Sequence, residues 1–363
     1  MRREANTTVG AVYDRRRCQR RGIAGGHRPP LQLGIMVVAA ALFLAAVAYA
    51  QEFKIRAKID LVVVPVTVKG AGDKLVTSLA KQDFVIFEDG RRQIITNFTS
   101  DPVPLSAAVV VDTGLPPESL SKIQRTFPAL AGAFSQFDEV AVYRYDKFVA
   151  KVLDFSADTE RVETAMNTLR EIKPRALSDS NLPRGPFSTP GPVINGAPVV
   201  PPGQVGVVIT SPPKVTNVLN DALFEAASDL AKREHNRRKI VLVISDGQNN
   251  GNDHSFDETA RSLLQTGVQV YAVGLDQPFP YSKTSVLDDF VKTTGGDAYF
   301  VNSIQSIEKS YASATEEARN QYVLGYVSNN EVVGPGPVFR DIQVTIARNN
   351  LKTLHRKGYY QYP

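Results

Sequence analysis

The chain has 363 residues, enough for one large domain and a smaller one, with ordinary apolar content and no tryptophan. Its formal charge of +5 is local: residues 1–30 hold eight arginines against Glu4 and Asp14, whereas from Gln51 onward 34 basic residues face 35 acidic ones. That balance offers no support for nucleic-acid binding, and because Cys18 is the single cysteine, the chain beyond it has no disulfide, thiol nucleophile or cysteine-ligated metal.

The leader has a recognisable physical order. Arginine-rich residues 15–28 precede an apolar segment, 31–50 (LQLGIMVVAAALFLAAVAYA), which closes on Ala48-Tyr49-Ala50. Small residues at that spacing suit a signal peptidase. The basic flank is expected to stay in the cytoplasm and the remainder to be exported, whether periplasmic, secreted or held at the membrane. An uncleaved anchor fits as well, since the segment is long enough to span a bilayer. No cysteine follows it, which argues against a lipid-anchored lipoprotein, and the long basic flank is also consistent with a start codon set too far upstream.

Residues 51–102 read as a small β unit. A long strand is expected over 53–70, a turn over 70–73, and two strands within 83–99 joined at Glu88-Asp89-Gly90, a hairpin signal. Residues 101–104 (DPVP) read as the linker out of it. From 103 to 320 the pattern changes to strand–helix alternation, which implies βαβ units and a mostly parallel, doubly wound sheet. The run 105–114 (LSAAVVVDTG) lacks alternation, so both faces of this strand are expected to be buried. It ends in Asp112, and the run 239–247 (KIVLVISDG) repeats the design and ends in Asp246. Open α/β sheets place ligands at the carboxyl ends of their strands, so the two carboxylates share one candidate rim.

Between those runs a helix is expected from 117 to about 137, two strands over 139–155 joined near Asp146, and a helix over 159–172. Ten of the 23 prolines then fall within 174–213. That stretch reads as a long irregular loop beside the rim, shaping partner choice and with room to hide a reshaped strand. Helices follow at 221–233, 257–266, 287–294 and 304–319, with strands at 267–274 and 297–302. The tail, 321–363, returns to three strands. These are expected to join the strands of 51–102 in one β-sandwich, because an isolated small sheet would bury too little.

In this order the features resemble the von Willebrand factor A domain, and more narrowly the exported bacterial proteins called VWFA-related. The matching stretches are LVVVPVTV at 61–68, DFVIFEDG at 83–90, VVVD at 109–112, NDAL at 220–223, VISDG at 243–247, YVLGY at 322–326 and RKGYY at 356–360. The resemblance implies a doubly wound α/β domain inserted in a β-sandwich, with a metal-ion-dependent adhesion site on the sheet's carboxyl rim. The usual first motif there is Asp-x-Ser-x-Ser; Asp112 keeps the aspartate, but Gly114 and Pro116 occupy the serine positions. The family's threonine falls on Asn217, with Thr216 one residue away, and the later Asp-Gly pair is intact as Asp246-Gly247.

The site so implied is a degenerate one. Mg²⁺ wants six oxygens in octahedral geometry and keeps waters readily. Asp112 and Asp246 are the residues to hold a hydrated ion, with Asn217 or Thr216 supplying a neutral oxygen. Ser119 and Thr113 are nearby hydroxyls at the wrong spacing. The competing reading makes both aspartates ordinary strand-end carboxylates satisfied by backbone N–H groups.

Enzymatic readings are weaker. Asp112-Thr113-Gly114 matches the aspartic-protease signature, but that chemistry needs a second carboxylate copy across a two-fold axis. A phosphatase using an aspartate nucleophile would want an acid at 114. No G-x-S-x-G elbow, P-loop or G-x-G-x-x-G occurs. The histidines are scattered; His254 lies in the polar loop after Asp246, within reach of the rim, although such loops are usually solvated turns. The expectation is a non-catalytic, extracytoplasmic interaction or adhesion module with a protein ligand at the rim, no nucleic acid, and membrane contact only through an uncleaved leader. A working Mg²⁺-dependent adhesin and a metal-dependent hydrolase using the paired aspartates are the alternatives.

Overall fold

The computed structural model describes residues 61–173, 216–275, 285–331 and 334–363, with the backbone of 193–194 and 197–198. The leader, its apolar segment and the start of the strand expected at 53–70 lie outside the described residues, as does the proline-rich loop 174–213 apart from those four positions. Among the described residues no helix is long and apolar enough to cross a membrane.

The chain opens with β1 (Leu61–Lys69), β2 (Phe84–Glu88), β3 (Arg91–Gln93) and β4 (Ile95–Thr99). Next come β5 (Leu105–Asp112), α1 (Pro117–Gly132), β6 (Glu139–Tyr145), β7 (Val149–Ser156) and α2 (Thr159–Arg170). A two-residue pair follows, β8 (Val193–Ile194) with β9 (Ala197–Pro198), then α3 (Leu219–Ala231), β10 (Arg238–Ser245), α4 (Phe256–Thr266) and β11 (Gln269–Leu275). The remainder is α5 (Val286–Thr294), β12 (Ala298–Val301), α6 (Ile304–Arg319), β13 (Tyr322–Val327), β14 (Val338–Ile346), β15 (Lys352–Leu354) and β16 (Gly358–Gln361).

The central sheet runs β12-β11-β10-β5-β6-β7, parallel throughout except for the hairpin partner β7 at its edge. β5 is buried along its whole length. Ala107, Val109 and Val111 pack toward α1, α2 and α6, while Ala108 and Val110 pack toward α3, α4 and α5. Two helical layers explain why the strand shows no polar alternation. This is the doubly wound α/β sheet that the strand–helix pattern implies.

The sandwich is built from both ends of the described chain. β1 lies between β15 and β13, and β13 carries β4 on its far side; the second sheet runs β16-β14-β2-β3. Val62, Val64, Val66 and Val68 of β1 alternate into its core against Tyr322, Leu324 and Tyr326 of β13. The antiparallel pairing of β1 with β13 therefore brings residues 61–69 against 322–327, with the α/β domain between them in sequence.

Three boundaries differ from the expected ones, each for a tertiary reason. The turn at Asp89-Gly90 is present with both residues at positive φ, but the returning arm divides: β3 pairs with β2, and after Ile94 the chain crosses to pair β4 with β13. The last strand divides likewise, β15 joining β1 and β16 joining β14 in the other sheet. α1 stops at Gly132 rather than near 137, because Asp138 takes the Ser135 N–H at 2.7 Å and turns the chain into β6, leaving Phe137 65% exposed.

A buried ion cluster ties the two layers together. The Lys69 ammonium, at the end of β1, meets Glu317 of α6 at 2.5 Å and also Asp297 before β12. Burial alone would lower the Lys69 ammonium, but these two carboxylates hold it above its ordinary value. Removing one partner of such a cluster leaves uncompensated charge in a low dielectric. Lys69→Met is expected to lower the unfolding free energy by about 3–5 kcal/mol. Urea titration of wild type and variant measures this, and an unchanged midpoint would mean that the cluster does not hold the layers together.

Candidate functional site at the carboxyl rim

Strand register assembles the rim. β10 pairs with β5 so that Ile244 stands opposite Val111, and β6 pairs with it so that Tyr145 stands opposite Asp112. The next residue of β10, Ser245, thus reaches the same row as Asp112 and Tyr145. The loop leading into α3 approaches from above: Asn217 and Asn250 exchange backbone hydrogen bonds at 3.1 and 2.8 Å, which fixes Asn217 over the start of the Asp112 loop.

Asp112 is fully buried and held by four protein donors. Its Oδ1 accepts from the Gly114 N–H at 2.9 Å. Its Oδ2 accepts from the Ser245 hydroxyl at 2.9 Å, the Asn217 amide at 3.1 Å and the Tyr145 hydroxyl at 3.2 Å. Tyr145 Oη also lies 2.8 Å from Ser245 Oγ, which accepts the Gly247 N–H at 3.0 Å. Tyr145 and Ser245 are themselves fully buried. Sequence reasoning missed both. Ser245 was visible only as the third letter of VISDG, and Tyr145 becomes a neighbour only through the β5–β6 register.

Asp246 follows Ser245 and is half-buried, accepting from the Gln248 N–H at 2.9 Å and the Gln248 side-chain amide at 3.1 Å. Burial first, and then the Asp246 charge, push the Asp112 carboxyl up to about 7, against the donors that pull it down. Asn217 is 1% exposed; its amide N–H donates to Asp112 while its Oδ1 has no hydrogen-bond partner among the described residues. A Cβ placed on Gly114 would lie 2.7 Å from that Oδ1 and 3.3 Å from Asp112 Oδ1.

The remaining candidates are placed as follows. Thr216 turns its methyl against Gly251, where an added Cβ would lie 2.4 Å away. The Thr113 hydroxyl donates to the Tyr145 carbonyl at 3.0 Å, and Ser119 is buried in the first turn of α1. Asp146 is a hairpin-turn residue, its Oδ1 accepting the Lys147 and Phe148 N–H groups at 2.5 and 3.3 Å. His254 pairs with Asp221 at 2.8 Å and stacks on Phe224 at 3.9 Å between centroids. Its loop is no free turn: Asn220, Asn249 and Asn252 bond one another across the start of α3 at 2.8–2.9 Å. Among the described residues no group of three or more His, Cys, Asp or Glu side chains is arranged to hold a metal.

Residues 210–320 match the family described as the von Willebrand factor type A domain. No curated protein matches the chain. Among solved structures it is similar to the conserved hypothetical protein BatB from Bacteroides thetaiotaomicron, at 13% identity and a TM-score of 0.38, over 59% of this chain and 98% of that one. A von Willebrand factor type A protein from Catenulispora acidiphila matches at 7% identity and a TM-score of 0.43, over 84% of this chain and 74% of that one. Proximal thread matrix protein 1 from the mussel byssus, solved with a zinc-occupied MIDAS motif, matches at 14% identity and a TM-score of 0.41 over 60% of this chain; the match spans 49% of the mussel protein.

The Asp112 carboxyl yields a pH dependence. Its folded value of about 7 lies above the 3.8 of an ordinary aspartate, so its contribution to stability is complete below pH 4 and declines as pH rises toward 7. Over that span the loss is roughly 4 kcal/mol. Asp112→Asn is expected to remove this slope, so wild type and variant profiles from urea unfolding at pH 5 and pH 7.5 should converge on one side and separate on the other. Parallel profiles would mean that Asp112 ionises as an ordinary carboxyl.

Proposed function

On a chain that carries a von Willebrand factor type A domain, we propose a non-catalytic, exported interaction module whose rim, around Asp112 and Asp246, meets a protein partner without a tightly held Mg²⁺. The observation that carries this reading is how Asp112 is engaged. Its Oδ2 faces the Ser245, Asn217 and Tyr145 donors and its Oδ1 accepts the Gly114 N–H. A carboxyl group holds a metal as the anion, and burial together with the Asp246 charge works against that form. Gly114 and Pro116 supply no hydroxyl, which leaves the Asp246 carboxylate and the Asn217 Oδ1 as protein oxygens. That donor set leaves most of an octahedral shell to water and holds Mg²⁺ weakly.

Asn217 supports the same reading sterically. Its Oδ1 lies where a side chain at 114 would start, and its N–H donates to the carboxyl that a metal would have bound. One amide thus fills the space of the lost serine and satisfies the aspartate. Catalysis is opposed by the same geometry: the hydroxyls nearest Asp112, on Tyr145 and Ser245, are fully buried and donate inward, so neither is presented as nucleophile or acid to a substrate. Export is supported by the arginine-rich flank, apolar segment and Ala48-Tyr49-Ala50 of the leader.

Calorimetric titration of Mg²⁺ and Mn²⁺ into the full chain is expected to give no saturable heat at millimolar ion. Stoichiometric binding that Asp246→Ala abolishes would overturn the proposal in favour of a working metal-dependent adhesin.

Gly114→Ser alone is expected to lower stability by about 1–3 kcal/mol, through the collision with Asn217. In Gly114→Ser/Pro116→Ser/Asn217→Thr that strain should be relieved and Mg²⁺ binding gained, read by the same titration together with urea unfolding. A triple variant as silent as wild type would show that the missing hydroxyls are not what withholds the ion.

A further inference from the structure

The sandwich carries a second candidate surface that shares no residue with the rim. Where the chain crosses from β3 to β4, the edges of the two sheets meet in an open groove of about 630 Å³. Its lining includes Phe84, Val85 and Ile94 as apolar walls, Gln93, and the cations Lys81 and Arg92, with no acidic residue. Ile94, the single residue of the crossing, is 77% exposed. Among the described residues neither the Lys81 ammonium nor the Arg92 guanidinium is hydrogen-bonded or ion-paired. Among the described residues β3 is the last strand of its sheet, and one side of its backbone has no strand partner.

Charged residues beside a short edge strand can serve simply to prevent unwanted pairing. Gln93 does not fit that explanation. It is 3% exposed and lines the groove; its side-chain N–H donates to the Arg91 carbonyl at 3.3 Å, and its Oε1 has no partner among the described residues. A buried acceptor left unpaired is costly unless something donates to it.

We propose that this groove binds an extended acidic segment of a partner protein, laid along the open edge of β3. The segment's carboxylates lie between Lys81 and Arg92, its apolar side chains rest on Val85 and Ile94, and Gln93 Oε1, closed to solvent in the free chain, accepts an N–H from it once the Gln93 side chain turns outward. Strand addition supplies main-chain hydrogen bonds, and the side chains that flank the edge set the choice of sequence. The cations are local, because the chain beyond the leader is balanced in charge, so a peptide fits the groove better than a nucleic-acid backbone.

The test is fluorescence anisotropy of the full chain with a labelled heptapeptide of alternating valine and glutamate. It runs beside the same peptide with glutamine for glutamate, the same with lysine, and oligothymidylate. The glutamate peptide is expected to bind about tenfold tighter than the glutamine peptide, and the lysine peptide not at all. Lys81→Glu and Arg92→Glu should each weaken it about three- to tenfold, in keeping with exposed ion pairs. Gln93→Leu should weaken it severalfold. Lys81 and Arg92 are exposed, so those variants should keep the wild-type melting temperature, which separates lost binding from lost folding. Equal affinity for the glutamate and glutamine peptides, indifference to both charge reversals, silence at millimolar peptide, or tighter oligothymidylate binding would each overturn the proposal.

Discussion

The rim is organised around one constraint: a carboxyl group with no contact to solvent at the end of the central strand. An unpaired buried carboxylate would be intolerable, so its surroundings must supply donors. Register supplies two of them, Tyr145 from β6 and Ser245 from β10, and the Asp112 loop supplies the Gly114 N–H. The fourth, Asn217, comes from the entry to α3 and is itself fixed by backbone pairing to the loop after Asp246. The conformations of three separate connections are thus set by the need to satisfy a single side chain.

The same device recurs elsewhere in the described chain. Asp138 is buried at the amino end of β5 and accepts from the Leu105 and Ser135 N–H groups and from Arg319 of α6. Glu88, fully buried at the β2 turn, accepts from the Tyr326 and Tyr359 hydroxyls, the Ser328 hydroxyl and the Asn330 amide. Glu317 meets Lys69 between the sandwich and the α/β layer. Well-packed apolar residues would stabilise such positions as well or better. A buried carboxylate accepts only one arrangement of donors, so these four side chains fix which strand ends, turns and helices meet.

The sequence was most informative where a strand or helix is fixed by its own pattern. The unbroken apolar run of β5 marked a strand buried on both faces, and α6 spans the expected 304–319. The two aspartates were legible because each ends such a run. Divided arms were not: in β3–β4 and β15–β16 the local pattern is continuous, and only the presence of two facing sheets tells the chain to change partner midway. Tyr145 was likewise hidden, because β6 buries Val140, Val142, Tyr143 and Tyr145 alike and nothing local marks one tyrosine as a donor to another strand. Asn217 was named by its position in a familiar order of residues, yet its packing over Gly114 depends on the fold.

That packing argues for reading the neighbouring residues of the rim together. Gly114 has no side chain, and Asn217 carries an amide. In the folded chain the two fit each other: the absent side chain leaves the space that the amide occupies, and the amide N–H meets part of the demand of Asp112. The fit is incomplete, since Asn217 Oδ1 stays buried without a partner among the described residues, which costs about 1–3 kcal/mol. An arrangement selected for stability alone would have used an apolar side chain there. Retaining an amide at that cost keeps a hydrogen-bonding lattice under the rim, holding the loops that carry Gly114, Asn217 and Asp246 in one relative position. A partner that contacts those loops then meets a surface already ordered, and does not lose binding free energy to ordering it.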